Sequence, residues 1–219
     1  MRGYDPDPSR GGSAASAADA VTGASVVLSV NAASVAVAVA SSAAGALAEG
    51  AVYADLNTAA PALKRELAEV VGEERFADVA LLGAVPDRGL GTPALASGGG
   101  AEAFAAALAP LGMPVEVVSD EAGDAAARKL LRSVFMKGLA ASALESLQAG
   151  VAAGHAAWLE EQLAGAIGRP LLDRLLEGSA LHAARRVEEM EAAAELLREL
   201  GVEPRIAEAS AGVLAELET

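Results

Sequence analysis

Cysteine is missing from all 219 residues, which excludes disulfides, thiolate catalysis and cysteine-ligated metals and suits a reducing cytoplasm. Histidine is nearly missing. His155 and His182 are the only two, too scattered for a histidine metal site, and no metal is expected. Aromatic residues make up 3% of a chain that is 53% apolar, so the core has to be assembled from Ala, Val and Leu with closely packed helices. Positive charge is scarce too: 16 Lys and Arg stand against 30 Asp and Glu, a net charge of −14. That balance argues against nucleic acid and anionic membranes as partners, since both would be repelled along most of the surface. The first residues, Met1-Arg2-Gly3-Tyr4-Asp5, hold no apolar run of the kind a signal peptide carries.

One long run has no charge at all. Residues Ala20 through Ala48 exceed the ~20 residues that a membrane helix needs, yet they are rich in Ala, Ser and Gly, contain Asn31 and lack aromatic or basic flanks. They read better as a buried strand over Ala24 to Val30 followed by a helix over Ala32 to Leu47.

The first half alternates Val-rich runs with Ala-rich helical stretches, the pattern of βαβ units and a parallel sheet. Strands are expected at Val26 to Val30, Ala51 to Leu56, Phe76 to Leu82, Pro93 to Ser97 and Pro114 to Val118. Helices are expected at Ala62 to Val71, behind Pro61, and at Ala101 to Leu108, behind a glycine run. Beyond Asp120 no strand pattern occurs, and Ala122 to Gly150, His155 to Ile167, Pro170 to Glu177, Ala180 to Leu200 and Pro204 to Leu217 read as helices. The fold class is therefore α/β followed by all-α, with domains at 1–119 and 120–219. Ser119-Asp120 stand at the junction like capping residues.

No G-x-G-x-x-G fingerprint for a dinucleotide pyrophosphate is present. Gly11-Gly12 read as a loop. Gly98-Gly99-Gly100 follow a strand and open a helix, a place where backbone can cradle an anion, but without the fingerprint's spacing. The strongest chemical pattern lies in residues 123 to 138, where Lys129, Ser133 and Lys137 recur every four residues and share one side of an apolar helix. A lysine held against an apolar wall is pushed toward neutrality and can exchange a proton with a hydroxyl or carbonyl. A solvated basic stripe is the alternative reading of the same spacing.

Residues 52–61 (Val-Tyr-Ala-Asp-Leu-Asn-Thr-Ala-Ala-Pro), Asp78-Val79-Ala80 through Val85-Pro86, Thr92-Pro93, Ser97-Gly98-Gly99, the lysine helix and His182 to Met190 carry a resemblance by their order and spacing. Together they resemble the β-hydroxyacid dehydrogenase superfamily, and within it the 6-phosphogluconate-dehydrogenase-like NAD(P)-binding proteins with a short helical C-terminal domain. The resemblance implies an incomplete Rossmann-like parallel sheet, because the family's first strand, glycine loop and first helix have no counterpart here. Arg2-Gly3-Tyr4-Asp5 match the end of its second strand. It implies hydride transfer between NAD or NADP and a small hydroxy acid or related carbonyl. Lys129 of the Gly-x5-Lys helix becomes the proton donor or acceptor, with Ser133 orienting the substrate.

The same resemblance places Asp5 at the adenosine ribose, Ser9 or Arg10 at a 2′-phosphate, and Asn57 and Thr58 beside the nicotinamide. Asn31, at the same sheet edge, is a weaker cofactor candidate, with turn and capping chemistry the alternative for all three of these residues. Asp5 points to NAD and Arg10 to NADP. Lys137 is assigned to a substrate carboxylate, and His182, Arg185 and Arg186 to an active-site helix of the same or a partner subunit. An ion-pair network with Glu188 and Glu189 is the alternative for that helix. Leu82-Gly83-Ala84 replace the family's Ser-Gly-Gly loop and leave the substrate class open, including an imine reductase. A reading from another class is a non-catalytic dimerising pseudoenzyme or fragment whose helical half, with Gly138, Gly150 and Gly154, packs against a second copy.

Overall fold

A computed structural model of the chain describes residues 2–10, 12–83 and 85–218. After a short helix α1 (Ala17–Val21), strand β1 (Val26–Ser29) leads into α2 (Ala36–Ala44), β2 (Val52–Asp55), α3 (Pro61–Val71) and β3 (Phe76–Leu81). The one-turn α4 (Val85–Arg88) precedes β4 (Ala94–Ser97), α5 (Ala101–Leu108) and β5 (Val115–Ser119). From there the chain is helical: α6 (Asp124–Ala152), α7 (Ala156–Ile167), α8 (Arg169–Leu181), α9 (Ala183–Glu199) and α10 (Arg205–Ala215). All five expected strands are present within one or two residues of their expected ends, because each is an uncharged or nearly uncharged Val/Ala run bounded by Gly or Pro.

The sheet runs in sequence order, β1-β2-β3-β4-β5, and is mostly rather than wholly parallel. Strand β4 is antiparallel to β3, whereas the β1/β2, β2/β3 and β4/β5 pairs are parallel. The reason lies in the connection. Between β3 and β4 there are only the one-turn α4 and a 3-10 turn (Gly89–Gly91), with no full helix to cover the sheet and carry the chain back across it, and β4 returns beside β3 in the opposite sense. Residues Arg2–Asp5, expected as a strand end, form no strand. Strand β1 pairs with β2 alone among the described strands, and Leu28 and Val30 at that edge are exposed.

Alternation along the strands feeds two cores. On one face Val52, Ala54, Ala77, Val79 and Ala96 pack with Phe104 and Leu108 of α5. On the other Tyr53 and Phe76 pack with Ala36 and Ala40 of α2 and with Leu67, Ala68 and Val71 of α3. The glycine run after β4 serves this packing. A Cβ on Gly98, Gly99 or Gly100 would lie 2.7, 2.6 and 2.7 Å from the carbonyl oxygens of Phe76, Glu73 and Arg75, so the loop is filled by backbone rather than open to an anion. Gly98 also sits at φ +97. Gly98→Ala is expected to cost about 2 kcal/mol or more, read by urea unfolding.

The chain divides into two compact units within α6, between Lys129 and Leu130. In the helical unit, α9 and α10 form the main pair. Gly138 and Gly150 are used inside it: a Cβ at these positions would meet Ile206 Cγ2 at 2.8 Å and Leu159 Cδ2 at 3.0 Å. Gly154 instead turns the chain at φ +75. Among the described residues no helix is long and apolar enough to cross a membrane.

Candidate active site

A polar row crosses the sheet beneath α3. The strand register aligns Ser29 with Asp55, Asp55 with Asp78, and Asp78 with Ser97. All four are buried, and so is Lys64, which α3 lowers onto them from its apolar face. Lys64 Nζ lies 2.5 Å from Asp55 Oδ1 and 3.2 Å from Asp78 Oδ1, and donates to the Asp55 carbonyl oxygen at 3.0 Å. Burial alone would push this ammonium toward neutrality, but the Asp78 and Asp55 carboxylates outweigh it and hold its pKa above the ordinary lysine value. Asp78 Oδ1 makes the ionic contact without a well-aligned hydrogen bond.

Both ends of this row hold chain that carries site residues. At one end, Asn57 Nδ2 donates to Asp55 Oδ2 at 2.6 Å and to Asn31 Oδ1 at 3.0 Å, while Asn31 Nδ2 donates to Ser29 Oγ at 3.0 Å. At the other, the backbone N–H of Ala126 donates to Asp78 Oδ2 at 2.8 Å and that of Ala125 to Ser97 Oγ at 3.0 Å. The first turn of α6 is thus capped from within the sheet. Ser119-Asp120 do not cap it; the Ser119 side chain accepts from Glu121 N–H instead. One turn further, Lys129 Nζ donates to Thr58 Oγ1 at 2.7 Å. Asn57, Thr58, Asp78, Ala126 and Lys129 line one shallow depression.

Lys129, Asn57, Thr58 and Asn31 therefore converge as a group. Asp5, Ser9 and Arg10 lie elsewhere, in a turn bonded to itself: Asp7 accepts from Ser9 N–H at 2.9 Å and Ser9 Oγ at 2.7 Å, with Arg10 Nε 3.5 Å away. Asp5 accepts from Asp7 N–H at 2.8 Å. Sequence reasoning did not single out Asp55, Lys64 or Asp78. The available signal was positional: Lys64 falls on the apolar stripe of α3 with Leu67, Ala68 and Val71, and the two aspartates interrupt otherwise apolar strands.

In the helical unit, Ser133 is buried and donates to Glu189 Oε1, while Lys137 Nζ lies 2.9 Å from the same oxygen and 3.3 Å from Ser133 Oγ. Glu189, 3% exposed, was also unmarked in the sequence beyond its place in a surface-type charge run. Burial pushes the Lys137 ammonium below its ordinary pKa; Glu189 works against that, and Arg186 and Arg132 work with it. Glu189→Gln is expected to lower the Lys137 titration further, read by 13C NMR of labelled lysine. Because folding depresses this base, its charged form is a cost at neutral pH that disappears as pH rises past the ordinary value of 10.5. Arg186 is half-buried and donates to Ser179 Oγ and the Leu175 carbonyl of α8. His182 is exposed at the α8/α9 junction.

The chain has three lysines, Lys64, Lys129 and Lys137, and none of them is exposed. A dinucleotide would find a partial fit. Amide and hydroxyl groups of Asn31, Asn57 and Thr58 could meet a nicotinamide, whereas the Gly98-Gly99-Gly100 run, packed on the Phe76, Glu73 and Arg75 carbonyl oxygens, offers a pyrophosphate no cradle. No group of His, Asp and Glu that could hold a metal ion occurs among them. Ala84 of the Leu82-Gly83-Ala84 loop lies outside the described residues.

Residues 145–217 match a family model described as a domain of unknown function, DUF1932. The chain is 32% identical to a conserved hypothetical protein of Sinorhizobium meliloti 1021, over 91% of this chain and 69% of that one, with a TM-score of 0.70. It is 29% identical to the conserved protein MTH1747, whose structure is described as similar to 3-hydroxyacid dehydrogenases, over 99% of this chain and 85% of that one, with a TM-score of 0.71. An uncharacterised 28.5 kDa protein of Methanothermus fervidus is 31% identical over 64% of this chain, which spans 55% of that relative's length.

Proposed function

We propose, for a chain that belongs to the β-hydroxyacid dehydrogenase superfamily, that it acts as an NAD(P)-dependent oxidoreductase on small hydroxy acids or related carbonyl compounds, with Lys129 exchanging the hydroxyl proton. The observation that carries this reading is the half-buried Lys129 Nζ, 2.7 Å from Thr58 Oγ1 in the depression that Asn57 also lines. When bound, the nicotinamide supplies or takes up the hydride. In the oxidative direction Lys129 removes the substrate O–H proton as the C=O bond forms, and in the reductive direction it returns that proton. Thr58 holds the amine in place between turnovers, and Asn31 and Asn57 face the cofactor. Ser133 orients the substrate and Lys137 binds its carboxylate, which then competes with Glu189 for the ammonium.

Two further assignments go with this. Asp5, Ser9 and Arg10 are cofactor residues in the reading, and binding breaks their contacts with Asp7. The reading includes a homodimer through the helical unit, in which exposed apolar side chains such as Phe135, Trp158 and Leu181, 70%, 62% and 76% exposed, become covered. The test is calorimetric titration of NADH and NADPH into the 219-residue chain and into a form carrying a first βα unit ahead of it, followed by turnover of a hydroxy-acid panel beside a cyclic imine. Cofactor binding with hydroxy-acid turnover supports the reading. Turnover of the imine alone moves it to imine reduction, and binding in neither form overturns it in favour of a non-catalytic role.

A further inference from the structure

We infer that Lys64 is a positioning residue for Lys129: by its contacts with Asp55 it fixes the turn that presents Thr58, and by its contact with Asp78 it fixes the first turn of α6 that presents Lys129. The inference rests on the reading of Lys129 as the proton-exchanging group. Its evidence is a continuous set of contacts inside the α/β unit. Lys64 reaches the Asp55 carboxylate and carbonyl at 2.5 and 3.0 Å, Asp55 takes the Asn57 amide at 2.6 Å, and Thr58 is the next residue. On the other side Lys64 lies 3.2 Å from Asp78, which takes the Ala126 N–H at 2.8 Å, three residues before Lys129.

The arrangement asks more of Lys64 than filling space. Two carboxylates paired in adjacent strands and closed off from solvent repel each other unless a cation lies between them or one takes up a proton. A protonated Asp78 is a weaker acceptor for the helix N-terminus, and a protonated Asp55 is a weaker acceptor for Asn57. Either change loosens one half of the Lys129–Thr58 pair. Tyr53, on the same sheet face, adds a buried hydroxyl beside the row; its pKa is raised by burial first and by Asp55 as well, so it stays neutral and adds no third anion to the row.

Three lysines give three ε-13C resonances in protein made with labelled lysine, each assignable by substitution. Lys64→Met and Asp78→Asn are each expected to move the Lys129 titration midpoint by about half a pH unit or more, leaving Lys137 in place, and to reduce kcat about tenfold with KM nearly unchanged. Asp78→Asn keeps the side-chain volume and an acceptor for Ala126 N–H, so it carries the test if Lys64→Met does not fold. A purely structural role lowers the unfolding temperature but leaves the Lys129 resonance and its titration as in the parent, and that result overturns the inference. Failure of the oxidoreductase reading shows differently: the parent has no turnover, while the Lys129 resonance still responds to both substitutions.

Discussion

Lys129→Ala will reduce turnover by about 10²- to 10⁴-fold while cofactor affinity stays within about twofold of the parent, as judged by steady-state rates beside calorimetry. The expectation follows from where the amine sits. Lys64 is the lysine seated between the Asp55 and Asp78 carboxylates, whereas this amine donates to the neutral Thr58 hydroxyl in the depression. Removing it therefore leaves the Asp55–Lys64–Asp78 row and the cap on α6 intact, and stability should change little. A rate within a few-fold of the parent would remove Lys129 from the mechanism. Thr58→Val is the milder companion, since it removes the partner of the amine and not the amine.

Asp55→Ala is expected to be the most costly single change for stability, about 3–5 kcal/mol by urea unfolding. It strips Lys64 of its closest counter-ion and Asn57 of its 2.6 Å acceptor at one stroke, in a place with no solvent to replace either. The pH dependence has a definite sign. Folding raises the Lys64 pKa above 10.5, so the stabilisation it provides is complete below that value and is lost only as pH climbs through the higher folded value. The deficit of Asp55→Ala should accordingly be flat between about pH 6 and 9. A deficit that vanished within this range would mean that Lys64 is not held charged by its neighbours.

The strands were readable because Val/Ala runs bounded by Gly and Pro occur at βαβ spacing. Periodicity fixes no strand direction, however, and the reversal of β4 goes with one connection that holds no full helix, which a parallel pattern conceals. Lys129 was marked by its spacing along an apolar helix, Asn57 and Thr58 by a resemblance, and the structure brings them together. Lys64 escaped notice because a lysine in a helix reads as solvent-facing unless its angular position is weighed against Leu67, Ala68 and Val71. Glu189 was read only as part of a local ion-pair network because its partners, Ser133 and Lys137, are more than fifty residues away in the chain. Burial of charge is a property of tertiary pairing, and no local window reports it.

That all three lysines are withdrawn from the open surface changes how the protein meets amine chemistry. Its outward cations are arginines, which acyl donors do not neutralise. An acyl group on a lysine of this chain would therefore mark a side chain already committed to holding the fold together or to the candidate site. Acylation would then be felt in the stability of the fold or in the candidate site, with an extent that can be counted over three positions, and the arginine charges at the surface would pass through it unchanged.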